Sequence, residues 1–262
     1  MKVVFIGAGN LATNLAKALY KSGNRIVQVY SRTMESARML AEEVASEPTT
    51  SLDAVAVDAD IYIISVKDSV LKGVIETLCA NVRQGLFVHT AGSMSVDIFK
   101  GHASRYGVFY PMQSFSKLRE VDFSDIPFFI EANNDADKNL LHDMASTLSD
   151  SVYEISSEAR KHLHLAAVFA CNFANHCYEL SGEVLEKYGI PFSVMLPLID
   201  ETARKVHSVS PRTGQTGPAV RYDENVINMQ RGLLADNPRI QRIYDVMSDS
   251  IHEVATSREN EK

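Results

Sequence analysis

Three observations predict an α/β fold, a doubly wound and mostly parallel sheet followed by an all-helical domain. In the first half of the chain, short β-branched runs alternate with longer helical patterns, which is how consecutive βαβ units read. Beyond about Ile155 the apolar residues keep helical spacing only. A glycine-rich turn directly after the first apolar run places the sheet in the Rossmann type.

Strands are expected at Lys2–Ile6, Arg25–Tyr30, 61–65, Leu86–His89, 107–110, 128–131 and 151–154, with a weak one near 48–50. Between them, helices are expected at 11–21, 34–44, 69–79 and 135–148. The remainder reads as helices 157–188, 192–208, 223–234 and 238–257, so the domains are drawn at 1–155 and 156–262. The segment 210–223 is too rich in Gly, Pro and Thr for a helix and is expected to be irregular; residues 257–262 read as a polar tail.

With 262 residues, 45% of them hydrophobic, the chain can bury a sizeable core. Its formal net charge of −7, without a basic block, argues against nucleic-acid binding, which needs clustered Lys and Arg. No stretch is apolar for long enough to cross a bilayer and no secretory leader is evident, so a cytoplasmic protein without membrane attachment is expected. Cys79, Cys171 and Cys177 lack metal-ligand spacing; they are expected to be small core residues, with no metal bound.

Gly7-Ala8-Gly9-Asn10-Leu11-Ala12 joins the first strand to the first helix. In that context Gly7 permits the tight turn, Gly9 lets the backbone approach a pyrophosphate, and Ala12 lets helix and strand pack closely. The helix N-terminus then faces the phosphates. Strand two ends in Tyr30-Ser31-Arg32-Thr33, where a carboxylate would select NAD; a guanidinium and two hydroxyls suit the 2′-phosphate of NADP instead. The alternative is that Arg32 simply begins a solvated helix.

Ligands of open α/β sheets collect at the carboxyl ends of the strands. Ser65-Val66-Lys67 and Thr90-Ala91-Gly92 are therefore assigned to the cofactor, and Ser93 and Gln113 to the substrate, although each is also ordinary turn chemistry. From His162 to Tyr178 the chain carries no Asp, Glu, Lys or Arg, so this helix is expected to be largely buried. On an α-helix Lys161, His164, Asn172, Asn175 and Glu179 would share a narrow stripe. His164 is then a candidate general acid, Asn172 would orient the reacting group, and Lys161 would serve as an alternative acid or anion holder. Asn175, on the same stripe, is assigned to the substrate. Equally, these polar groups could satisfy neighbouring helices or a partner subunit. Asp223 is placed to cap the helix that follows it, and Arg221 to grip a substrate carboxylate or to pair with Asp223.

The motifs at 7–12, 89–93 (HTAGS), 111–115 (PMQSF), 164–172 (HLAAVFACN) and 216–223 (TGPAVRYD) resemble a family of NADP oxidoreductases that join a Rossmann domain to a helical domain of formerly unknown function, and the resemblance spans nearly the whole chain. One branch acts as an alternative ketopantoate reductase. More distantly the layout is similar to pyrroline-5-carboxylate reductases and β-hydroxyacid dehydrogenases, whose helical domains commonly form homodimers. The resemblance implies NADP as cofactor, hydride transfer to a C=O or C=N carbon of a small carboxylate, and a homodimer through the helical domain. Arg221-Tyr222-Asp223 stands where the family favours Arg-Gly-Asp, so substrate identity does not carry over directly. A protein that binds NADP as a sensor without turnover is the alternative from a different class.

Overall fold

The computed structural model describes residues 1–257; the expected tail therefore lies, apart from Ser257, outside the described residues. Eight strands form one sheet in the order β3-β2-β1-β4-β5-β6-β7-β8. They are β1 (Lys2–Ile6), β2 (Arg25–Tyr30), β3 (Glu47–Thr49), β4 (Ile61–Ile64), β5 (Leu86–His89), β6 (Tyr106–Pro111), β7 (Phe128–Ala132) and β8 (Val152–Glu154). All neighbours pair in parallel except β6 and β7. The helices α1 (Asn10–Lys21), α2 (Met34–Glu43), α3 (Asp68–Asn81) and α4 (Asp135–Ser146) connect them. Strands β4 (IYII) and β5 (LFVH) are buried at every position, because a parallel sheet is covered on both faces and alternation disappears. Two core clusters flank it, one around Phe5, Leu15 and Phe128, the other around Ile6, Tyr62 and Phe99. Between β2 and β4, β1 sits where the strand order reverses, which opens a crevice at its carboxyl end.

The expected helix 157–188 is interrupted. It divides into α5 (Ser157–Ala167), a π-helical turn at Val168–Phe173 and α6 (Ala174–Glu186). A π turn accommodates an extra residue, so the phase of about 100° per residue is not carried through it. The stripe from Lys161 to Glu179 is therefore not a property of one α-helix. Nor is the segment buried: Leu165 is 55% exposed, Phe169 63% and Phe173 51%, and Cys171 and Cys177 are exposed while Cys79 is buried. Apolar composition signals that a surface needs covering; it does not say that the same chain covers it.

By Cα proximity the chain forms two compact units, 1–172 and 173 onward. The expected boundary at 155 marks where the strands end, whereas α5 belongs to the first unit. The second unit holds α6, α7 (Leu196–Lys205), α8 (Pro211–Gly214), α9 (Pro218–Arg221), α10 (Glu224–Gly232) and α11 (Pro238–Thr256). The segment 210–223 is thus not irregular throughout. Pro211 and Pro218 each open a single helical turn, where a missing N–H costs nothing and φ is already set. Asp223 caps α10, its side chain accepting from Val226 N.

Candidate active site

The glycine turn follows from backbone geometry. Gly7 has φ +123° and donates to Tyr30 O at 2.8 Å, and a Cβ there would lie 2.1 Å from Ser65 O. Only glycine fits. At Gly9, by contrast, an added Cβ would meet no heavy atom within 4 Å, so its backbone faces open space. As N-cap of α1 it offers no capping side chain, which leaves the first-turn amides of α1 without a side-chain acceptor. That is the geometry a pyrophosphate needs.

A cleft of about 570 Å³ starts at this turn. It brings together Gly7, Ala8, Gly9, Asn10 and Leu11 with Ser31, Arg32 and Thr33 at the end of β2, Ser65, Val66 and Lys67 after β4, and Thr90 after β5. Arg32 and Lys67 are exposed and form no ion pair with any described residue, so both cations are available to a phosphate. Thr33 also caps α2, accepting from Ser36 N, so its hydroxyl is already in use. The open Gly9 backbone and the two available cations together fit a dinucleotide carrying an extra phosphate.

Ala91 and Gly92 do not line this cleft. Gly92 instead lies against the side chains of His164 and Tyr110: a Cβ there would be 2.6 Å from His164 Nδ1 and 2.9 Å from Tyr110 Cζ. Tyr110 Oη and His164 Nδ1 are 3.1 Å apart, with the rings edge to face. Ser93 donates to the Asp68 carboxylate at the start of α3. Gln113 is exposed and folds onto its own loop, accepting from Ser114 N. Lys161 is exposed 3.7 Å from Glu158, and Asn172 is exposed. In the second unit, Asn175 and Arg221 are exposed, and Arg221 forms no ion pair with Asp223.

Sequence reasoning missed the polar centre beneath this site. Arg160, fully buried, donates to Glu131 Oε2 at 2.5 Å, to Met94 O at 2.5 Å and to Ser157 Oγ at 3.1 Å, while Ser157 donates to the same carboxylate at 2.7 Å. This ties α5 to β7 and to the loop after β5. His89, also fully buried, accepts from Ala91 N through Nδ1, which places its proton on Nε2. Burial, reinforced by the Arg160 charge, lowers its pKa to about 3. Burial also raises the Tyr110 phenol above its ordinary range, with Arg160 pulling the other way. An arginine one position before the expected stripe and a tyrosine near the end of β6 were the available signals; neither spacing nor composition marks them.

The residues 2–91 match a family model described as NADP oxidoreductase, coenzyme F420-dependent, and 126–251 match a domain of unknown function, DUF2520. A Bacteroides fragilis protein described as an NADP oxidoreductase is 60% identical over 96% of this chain and 98% of its own, with a TM-score of 0.93. A Thermotoga maritima protein, TM1727, is 25% identical over 97% and 99%, with a TM-score of 0.79. The imine reductase of Myxococcus stipitatus in complex with NADP+ shares the fold at 15% identity, with a TM-score of 0.72 over 98% and 95%. The glutamyl-tRNA reductase of Geobacillus kaustophilus matches over 65 residues at 43% identity; the chain spans only 14% of that curated relative.

Proposed function

Because the chain belongs to the NADP-dependent oxidoreductases that join a Rossmann domain to the DUF2520 domain, we propose that it reduces the C=O carbon of a small 2-keto carboxylate, ketopantoate being the first candidate. The observation that carries this reading is the contact of His164 with Gly92, on the strand-end loop whose Thr90 lines the cofactor cleft.

NADPH, when bound, supplies a hydride from its nicotinamide ring. The chain's own groups do the rest. Gly7 to Leu11 and the start of α1 would hold the pyrophosphate, and Arg32 and Lys67, with Ser31, would hold the 2′-phosphate. Thr90, which lines the cleft, would position the nicotinamide amide. As the C=O π electrons move onto oxygen, His164 Nε2 delivers a proton there. Asn172 orients the same oxygen, and Lys161, Ser93 and Gln113 are assigned to the anionic substrate. A C=N group takes hydride and proton in the same way, and the fold shared with the Myxococcus stipitatus imine reductase favours imines as the second substrate class.

Absorbance of the reduced nicotinamide is followed with a panel of 2-keto acids and cyclic imines; NADPH consumption with ketopantoate or a close analogue is expected. Tight NADPH binding without turnover of any member would overturn the enzyme assignment in favour of a sensor. His164→Ala is expected to lower kcat by about 10²-fold or more while keeping NADPH affinity. An unchanged rate removes His164 from the chemistry. Arg32→Ala is expected to weaken NADPH far more than NADH, and equal losses contradict the 2′-phosphate assignment.

A further inference from the structure

The geometry points to Tyr110 as a positioning residue that engages His164 Nδ1 and so leaves Nε2 as the atom that exchanges a proton with substrate. This rests on His164 being the acid. Tyr110 lies near the end of β6 and His164 on α5, and their 3.1 Å contact is held from the third side by Gly92, where any side chain would collide with both rings. Both elements are fixed. Tyr110 is only 8% exposed, and α5 is anchored by Arg160 to Glu131 and Met94 O.

A hydroxyl suits this role better than a carboxylate would. It accepts from Nδ1–H when the ring is charged and still accepts from it after Nε2 has given its proton to substrate, so the orientation is kept in both states. A carboxylate accepts too, but its charge would favour the charged ring. His164 must release its Nε2 proton and regain it in each turnover, while Nδ1–H stays bonded to the Tyr110 hydroxyl and the ring does not move. In the neutral ring Tyr110 accepts, which selects the tautomer with its proton on Nδ1 and leaves Nε2 bare to be reprotonated.

The test is ¹⁵N NMR of the histidine rings in the full chain without cofactor, with His164 assigned from His164→Ala. In the unsubstituted protein the neutral His164 should show the Nδ1–H tautomer; a predominant Nε2–H tautomer overturns the inference without use of any variant. Tyr110→Phe should mix the two tautomers, and should lower kcat about tenfold or more with KM and NADPH affinity within a factor of about three. Unchanged ring shifts or unchanged kcat in a folded Tyr110→Phe protein overturn it. Should that variant not fold, Gly92→Ala, which forces the same two rings apart, must shift the His164 nitrogens. Loss of activity in Tyr110→Phe alongside full activity in His164→Ala would instead count against the proposed acid, which separates the two failures.

Discussion

At Gly7 and Gly9 the same residue type performs two different tasks, and substitution separates them. A methyl at Gly7 meets the Ser65 carbonyl and a φ of +123°, so Gly7→Ala should destabilise the protein by roughly 3 kcal/mol or more, measured by urea unfolding. Gly9→Ala meets nothing within 4 Å and has an N-cap φ of −79° that alanine adopts freely. Its stability should stay within about 1 kcal/mol while NADPH affinity falls at least tenfold, because the methyl fills the space the pyrophosphate needs. His89 adds a pH dependence. Its folded pKa of about 3 lies below the ordinary histidine value of 6.5, so as pH falls from 6.5 toward 3 the unfolded chain takes up a proton that the folded chain refuses. Stability is therefore present above pH 6.5 and lost on acidification, with a limiting slope of about 1.4 kcal/mol per pH unit. His89→Gln should flatten that part of the stability curve; parallel curves would contradict the assignment. The glycine pattern was readable from sequence because each glycine answers a local steric demand. His89 was not, because its neutrality comes from burial and from Arg160, 71 positions away in the chain.

Among the elements, α5 matters most, because it carries His164 and is held by one buried guanidinium. Arg160→Ala removes the partner of Glu131 inside the protein and should cost about 3–5 kcal/mol; the double change Arg160→Met with Glu131→Leu should cost clearly less, since no unpaired charge remains. Urea unfolding of both variants decides it. A double variant no more stable than Arg160→Ala would show that the network matters for more than charge compensation. The sheet and the helices α1 to α4 were legible because short apolar runs and longer amphipathic ones differ in period. The π turn at Val168–Phe173 was not, since an inserted residue in a helical ladder has no compositional mark. One-turn helices after Pro211 and Pro218 were likewise hidden by the Gly, Pro and Thr around them.

For the whole molecule, the second unit presents a deficit of burial. Its apolar cluster comprises Leu180, Leu234 and Ile240, while Leu198 is 63% exposed, Leu233 68% and Val246 67%. So small a core does not support a helical unit alone, and a second copy of the chain is proposed to cover it. Sedimentation analysis should find a dimer at micromolar concentration, and a monomer across that range would overturn the proposal. The α/β order, the dinucleotide-type glycine turn and the oxidoreductase family could all be read from the linear chain, because period and local sterics are written over short stretches of it. Packing settled the rest: Tyr110 meets His164, Arg160 lies beneath them, and the apolar run 162–178 is largely uncovered in one chain. Contact and burial between residues far apart depend on how elements come together in space, and a linear pattern does not encode that.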